Sequence, residues 1–148
     1  MNLLDHFVLQ HIQLTRVDAE ISGAAKDRAL RTAKVELNLA PRVLEGEKDP
    51  SLPIYQVSAQ LKCRSGSGKG RGPAFRANVE LESVYRQVSG EPVDAAEFTR
   101  LHLGLARQLF PILQHEMRSL LLRMGLGQIA LPFDLAPRAP QGDAPTIE

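Results

Sequence analysis

Residues 55–63 have the sequence Tyr-Gln-Val-Ser-Ala-Gln-Leu-Lys-Cys, in which apolar and polar side chains alternate without a break. The same alternation occurs in residues 34–39 and in residues 75–82. Successive side chains of a β-strand point to opposite faces, so this period predicts strands with one buried face and one wet face. Short connections between such strands favour an antiparallel sheet. We therefore expect residues 34–82 to contribute three antiparallel strands.

A fourth strand is predicted earlier in the chain, over residues 8–21. Its apolar positions change phase between Leu14 and Val17. Because one extra residue in a strand shifts every later side chain to the other face, this change predicts a β-bulge or a kink.

The pattern becomes helical after the strands. Asp94 and Glu97 have the spacing of a capping box, so a helix should begin there. Pro111 removes a helical hydrogen-bond donor and clashes with the preceding turn, which predicts a break and a second helix over 111–124. The predicted fold class is α+β: a four-stranded antiparallel sheet followed by two helices broken at Pro111.

The first helix has more apolar surface than one contact can cover. Its main apolar stripe consists of Phe98, Leu101, Leu105 and Leu109, and Leu103 and Phe110 lie off that stripe. A helix that is apolar on two sides is buried on two sides. Since most soluble oligomers are symmetric homo-oligomers, a second copy of the chain is the expected cover.

Length and proline content predict the domain organisation. A chain of 148 residues with 43% hydrophobic residues supports one core. Four of the ten prolines lie at or after Pro132, where a helix cannot form. We expect a single domain over residues 1–134 and a Pro-rich flexible tail over residues 135–148.

Charge and cysteine content exclude several classes of protein. The net charge of +1 argues against a nucleic-acid-binding protein that relies on bulk positive charge. The single cysteine, Cys63, excludes a disulfide framework and suits a reducing compartment. No basic targeting segment and no apolar run of about 20 residues is present. These features predict a soluble cytoplasmic protein without membrane insertion.

A glycine-rich basic loop is the most conspicuous motif, at residues 66–72. A P-loop requires Gly at its first position and Ser or Thr after Gly-Lys, and here those positions hold Cys63 and Gly70. The favoured interpretation is a solvated hairpin loop. A remoter hypothesis is a weak RNA or anion-binding module over residues 62–76, which would use Lys62, Arg64, Lys69, Arg71 and Arg76.

No constellation of residues predicts an enzyme. His115-Glu116 resembles the start of a zinc-protease motif, but Ser119 stands where the second histidine should be. Cys63 falls on the apolar side of its strand, which favours a packed and inert thiol. We expect no catalytic residue, no metal site and no cofactor.

The order of short motifs resembles the SecB family of bacterial export chaperones. The resemblance rests on Gln10-His-Ile12, on the alternation of residues 35–39, on Leu109-Phe110-Pro111, and then on Arg123, Gly125, Gln128, Leu131 and Phe133-Asp134. It spans roughly residues 8 to 134. The strand and helix order deduced above is also the order that this family would have.

The resemblance implies a homotetramer, built as a dimer of dimers, that holds unfolded polypeptides in apolar grooves without ATP. Carried over by position, the residues that would line the grooves are Val35, Leu37, Leu39, Leu109, Phe110, Ile112, Leu126 and Ile129. Apolar contact is non-directional, which suits a binder of many unfolded clients.

The resemblance leaves two biological roles open. In export through the Sec pathway, two acidic residues of the first strand would contact the translocase motor SecA; Glu20 matches one of them, and Arg16 replaces the other. Such a charge reversal weakens docking to a basic partner. The alternative is a SecB-like chaperone dedicated to a toxin–antitoxin system, which stabilises an aggregation-prone antitoxin. From the sequence, general export is preferred by a narrow margin.

Overall fold

The computed structural model describes residues 1–21, 33–44, 52–65, 74–132 and 135–138. The strands are β1 (Phe7–Ile21), β2 (Lys34–Val43), β3 (Ile54–Arg64), β4 (Phe75–Gln87) and β5 (Pro137–Arg138). A short 3-10 helix (Leu3–Asp5) precedes β1. Helix α1 (Ala95–Leu101) continues through a 3-10 turn (His102–Leu105) into α2 (Ala106–Arg123).

The strands form one mixed sheet in the order β1-β4-β3-β2-β5. The first four strands pair antiparallel, as their alternation predicts. The prediction of a purely four-stranded antiparallel sheet is wrong in one detail, because β5 adds a parallel edge through Leu37↔Pro137 and Asn38↔Arg138. Proline lacks a donor N–H and is therefore accommodated on an edge strand. The α+β class is confirmed.

This short fifth strand lies in the segment predicted to be a flexible tail. Residues 135–138 are described, and two of them pair with β2. Residues 139–148 lie outside the described part, so the predicted boundary at 134 stays a prediction.

Two bulges bend β1 along β4. The register passes from Leu14↔Leu81 to Arg16↔Glu80, which leaves Thr15 as the extra residue at the predicted phase change. A second shift between Leu9 and His11 was not predicted. The bulge at Thr15 is therefore confirmed, and β1 carries one more.

The predicted helix break at Pro111 is wrong. Pro111 lies inside α2 with its ring exposed, and the helix is interrupted earlier, at the turn His102–Leu105. The apolar face of α2 continues on both sides of Pro111 through Leu109 and Leu113, so packing outweighs one lost hydrogen bond. Gly104 in the turn has low helix propensity, which favours the interruption there.

The helical layer covers one face of the sheet. Leu105, Leu109, Leu113, Met117 and Leu121 follow one another at four-residue spacing, and all are buried. They pack in one cluster with the apolar sides of β3 and β4. The Asp94 side chain accepts a hydrogen bond from the Glu97 amide at 2.9 Å, which confirms the predicted start of α1.

The chain turns back after α2. Gly125 has a φ of +76°, the Gly125 amide donates to the Leu122 carbonyl, and the Leu126 amide donates to the Leu121 carbonyl. This is a Schellman cap, which confirms the predicted helix end. Gln114 then donates to the Pro132 carbonyl at 2.6 Å, so the returning segment lies along α2.

Candidate functional site

The eight predicted groove residues belong to one apolar cluster. Six of them are at most 6% exposed in the single chain: Leu37, Leu39, Leu109, Phe110, Leu126 and Ile129. A side chain enclosed to this degree contacts a client only after its neighbours move. Their role in client binding stays a prediction, and the structure shows them as core.

Val35 and Ile112 are different, because both are half-buried and pack against the edge of the core. Other half-buried apolar side chains lie along the helical layer: Leu101, Leu103, Leu120 and Met124. We call these six residues the apolar rim. The accessible apolar surface of the described chain therefore includes this rim, beside the core.

A cavity of about 310 Å³ lies where the rim meets the segment beside β2. It is lined by Leu103, Ala106, Arg107, Leu135, Ala136 and Pro137. One wall is the beginning of the long helix, and the other wall is the chain that continues into β5. The cavity is thus bounded by residues from two separate elements, and all of them except Arg107 are apolar.

The outer edge of β2 is largely unpaired. In the parts of the chain that the structure describes, only Pro137–Arg138 pairs with this edge of the ten-residue strand. An ion pair of 3.3 Å between Arg138 and Glu36 accompanies the pairing. Free N–H and C=O groups along a sheet edge are a template for another extended chain.

The outer edge of β1 is also unpaired among the described residues. Four of its apolar side chains are 40–45% exposed: Val8, Leu14, Val17 and Ile21. A long edge strand with exposed apolar side chains is a pairing surface. The bulge at Thr15 keeps Leu14, Val17 and Ile21 on one face, because their register partners Leu81, Val79 and Phe75 are all buried core residues.

The uncovered face of the sheet is polar and hydrogen-bonded across the strands. Asn78 donates to Asp18 at 3.3 Å and to Glu80 at 2.7 Å, and Gln60 donates to Glu80 at 3.1 Å. Asn38 donates to Gln60 at 3.2 Å. These bonds join four strands, so this face is stable in water without a cover.

Glu20, the predicted motor contact, lies on this polar side at the end of β1. Its carboxylate is 3.2 Å from the Arg76 guanidinium, and Arg16 pairs with Asp18 at 2.7 Å. Each acid therefore has a basic neighbour, and the strand does not present a purely acidic surface. Docking to the motor stays a prediction.

The predicted anion-binding loop is only partly within the described residues. Lys62, Arg64 and Arg76 line a shallow cavity of about 490 Å³, but Asp18, Glu36 and Glu80 line it as well. This mixture of charges is a poor attractant for phosphates. Lys69 and Arg71 lie outside the described part of the chain.

Cys63 and His102 are titratable side chains that the core encloses. Burial raises the pKa of the Cys63 thiol to about 11, so the thiol stays protonated and is a poor nucleophile at neutral pH. Burial also lowers the pKa of His102, and backbone hydrogen bonds at Thr99 and Leu39 oppose part of that effect. The His102 side chain is only 3% exposed.

No group of three or more potential metal-ligating side chains occurs among the described residues. Within the same residues, no helix is both long and apolar enough to cross a membrane.

Comparison with known proteins identifies the fold. No family model matches the chain, and no curated protein matches it by sequence. A SecB-like chaperone from Mycobacterium tuberculosis, solved in complex with a ChAD peptide from the HigA1 antitoxin, is 16% identical with a TM-score of 0.61. The match covers 89% of this chain and 93% of that one.

A second solved structure, a protein of unknown function from Streptococcus agalactiae, is 10% identical with a TM-score of 0.51. That match covers 87% of this chain and 97% of the other. At these identities the comparisons establish the fold. The resemblance found in the sequence is thereby confirmed at the level of structure: the chain has a SecB-like fold.

Proposed function

We propose that this protein is an ATP-independent chaperone that holds unfolded polypeptides and prevents their aggregation. The observation that carries the proposal is the SecB-like fold, shared with a chaperone solved in complex with a peptide. The half-buried apolar rim and the unpaired edge of β2 support it, because together they offer apolar contact and backbone hydrogen bonds. Neither contact requires a particular client sequence.

The experiment is light scattering of an unfolded client as it aggregates, with and without this protein and in the absence of nucleotide. Suppression of scattering at stoichiometric amounts is the expected result. Aggregation at the unchanged rate would exclude the holdase function and leave the fold without that activity.

Among the two roles, we favour a chaperone dedicated to an antitoxin. The M. tuberculosis structure, which contains an antitoxin peptide, supports this choice over general export. The pairing of Glu20 with Arg76 and of Arg16 with Asp18 also speaks against an acidic motor-docking surface. A location in the cytoplasm, with its reducing environment, belongs to the same proposal.

The two roles differ in what the motor does. We expect the ATPase rate of SecA to be unchanged when this protein is added. Stimulation of that rate, lost in Glu20→Ala, would instead support export through the Sec pathway. Glu116 is a half-buried acid on α2 and does not lie on β1, so Glu116→Ala is the matched control.

We further propose a homo-oligomer in which the outer edge of β1 is covered by another copy of the chain. The exposed apolar side chains of this strand support the proposal. A tetramer is the form that the SecB resemblance implies.

A further inference from the structure

The segment Leu135–Arg138 lies at the outer edge of β2, where a strand from another polypeptide could also pair. Pro137 is the register partner of Leu37, and Arg138 is the partner of Asn38, in parallel orientation. The Leu135 side chain packs against the hydrophobic core just before the strand begins. The protein therefore places an extended segment of its own on the edge of β2.

This contact is short. The parallel ladder has two residues, and Pro137 has no N–H with which to extend it. The ion pair between Arg138 and Glu36 is exposed on both sides, so it contributes little. The cavity beside Leu135 is not filled by the segment. A longer or bulkier extended chain would make more hydrogen bonds and more apolar contact at the same place.

We propose that the outer edge of β2 and the adjoining surface of Leu103, Ala106 and Arg107 form a strand-accepting site, which Leu135–Arg138 occupies until a client displaces it. The inference rests on the proposed function and names where the client binds. The segment competes with clients for this edge. Because it is tethered, its effective concentration at the edge is high, so only clients with sufficient affinity displace it. Clients with a longer apolar stretch have that affinity.

The chemistry of the segment indicates what the site recognises. Leu135 packs against the hydrophobic core, and Arg138, three positions later, supplies a cation to Glu36. The site therefore takes an extended polypeptide with an apolar anchor residue; a basic residue three positions later suits Glu36 but adds little to the affinity. The backbone pairing itself is independent of sequence, as in other cases of strand addition.

A reversible covalent lock tests the proposal on the full chain. Neighbouring strands lie about 4.8 Å apart, within the Cα separation that a disulfide spans, so Asn38→Cys combined with Arg138→Cys should form one on oxidation. The native Cys63 is fully buried and does not compete. The single variant Asn38→Cys is the control, because it carries the same change on β2 without the lock.

The probe is a fluorescent synthetic peptide with the sequence of residues 133–148, followed by fluorescence anisotropy. We expect the reduced double variant to bind this peptide at least tenfold more tightly than the oxidised one, and to suppress client aggregation more strongly. Equal peptide binding by the two forms, or failure of the disulfide to form, would overturn the proposal. The Asn38→Cys control should not respond to oxidation.

The remaining outcomes separate the two proposals. If peptide binding depends on the lock but client holding does not, the site accepts a strand but is not the client site, which overturns this inference alone. If peptide binding depends on the lock and even the wild-type chain holds no client, the holdase function fails and the strand-accepting site is supported.

A pair of variants without engineered cysteines provides an independent measurement. Leu135→Asp removes the apolar anchor of the segment, so affinity for the peptide should rise several-fold. Leu122→Asp changes a side chain that is 63% exposed and outside the site, so it should leave the affinity unchanged. Equal affinities in the two variants would contradict displacement of the segment.

Discussion

Leu109 can be interpreted either as a client-binding groove residue or as a core residue. Its position in the Leu109-Phe110-Pro111 motif marks it as a groove residue by resemblance, whereas its side chain, on the inner face of α2, is fully buried. Replacing it with Ala removes buried methyl groups and leaves a cavity. We expect the free energy of unfolding in urea to fall by about 2–5 kcal/mol.

The matched control is Leu122→Ala, on the same helix and largely exposed. Its effect should stay within about 0.5 kcal/mol. Equal stabilities of the two variants would show that Leu109 is not part of the core, and would return it to the groove.

His102 predicts the pH dependence of stability. Because burial lowers its pKa in the folded state, the unfolded chain binds the proton more readily, near the ordinary value of 6.5. This contribution is fully present above that pH and is lost as the pH falls below it. The free energy of unfolding should therefore decrease between pH 7.5 and pH 5.5.

Urea unfolding of His102→Gln at the two pH values isolates the effect. The pH-dependent loss of stability should become smaller in this variant. His115→Gln, which alters an exposed histidine of α2, should retain the wild-type dependence. A wild-type slope in His102→Gln would assign the dependence to other groups.

A substitution at Ile112 gives the most direct test of whether the apolar rim binds clients. It is half-buried at the rim of the helical layer, so a charge there is tolerated better than in the core. Ile112→Asp should reduce suppression of client aggregation several-fold while far-UV circular dichroism stays native. Leu122→Asp is the control, and equal losses in both variants would disconnect the rim from client binding.

The elements show which part of the fold was predictable. The alternation in β2, β3 and β4 is strict because one face of each strand meets the core, so the period alone identifies them. The bulge at Thr15 and the cap at Gly125 were predictable because each depends on a few neighbouring residues in the sequence.

The helix interruption and β5 were not predictable from local signals. The expected break at Pro111 ignored the continuous apolar face of α2, which holds the helix together through tertiary contacts. The pairing of Pro137–Arg138 depends on a return path along the helix that composition does not reveal. For the site, sequence grouped the eight apolar residues but could not tell core from rim.

Gly125 carries a prediction at the level of the helix end. With a φ of +76°, an L-residue there adopts a strained left-handed conformation, so Gly125→Ala should lower the free energy of unfolding by about 1–2 kcal/mol. Gly104→Ala is the matched control, because a Cβ there meets no atom within 4 Å. It should be neutral or stabilising, and a destabilisation equal to that of Gly125→Ala would show that φ is not the cause.

At the scale of the whole molecule, the two sheet edges have different proposed roles. We propose that the edge of β2 accepts an extended chain and that the edge of β1 joins copies of the protein. The exposed large apolar residues of β1 are Val8, Leu14, Val17 and Ile21, whereas on β2 only Val43 is comparably exposed.

The oligomer is tested by charges on β1. Val17→Lys should weaken association at least tenfold, because a cation on an edge strand opposes pairing with a second copy. Light scattering of the protein in solution measures the mass as a function of concentration. Val88→Lys, which changes an exposed valine outside the strand, should keep the wild-type mass. An unchanged mass in Val17→Lys would place the contact elsewhere.

The strand order has a consequence for how the chain folds during synthesis. β1 pairs with β4 and not with its neighbour in sequence, so Phe7 must find Gln87. Until β4 leaves the ribosome, β1 lacks its one strand partner among the described residues, while β2 and β3 can already form a hairpin. Closing so long a loop is slow compared with hairpin formation. A nascent copy therefore exposes the apolar residues of its first strand for most of its synthesis, and it is for that time an unfolded polypeptide of the kind that its finished copies are proposed to hold.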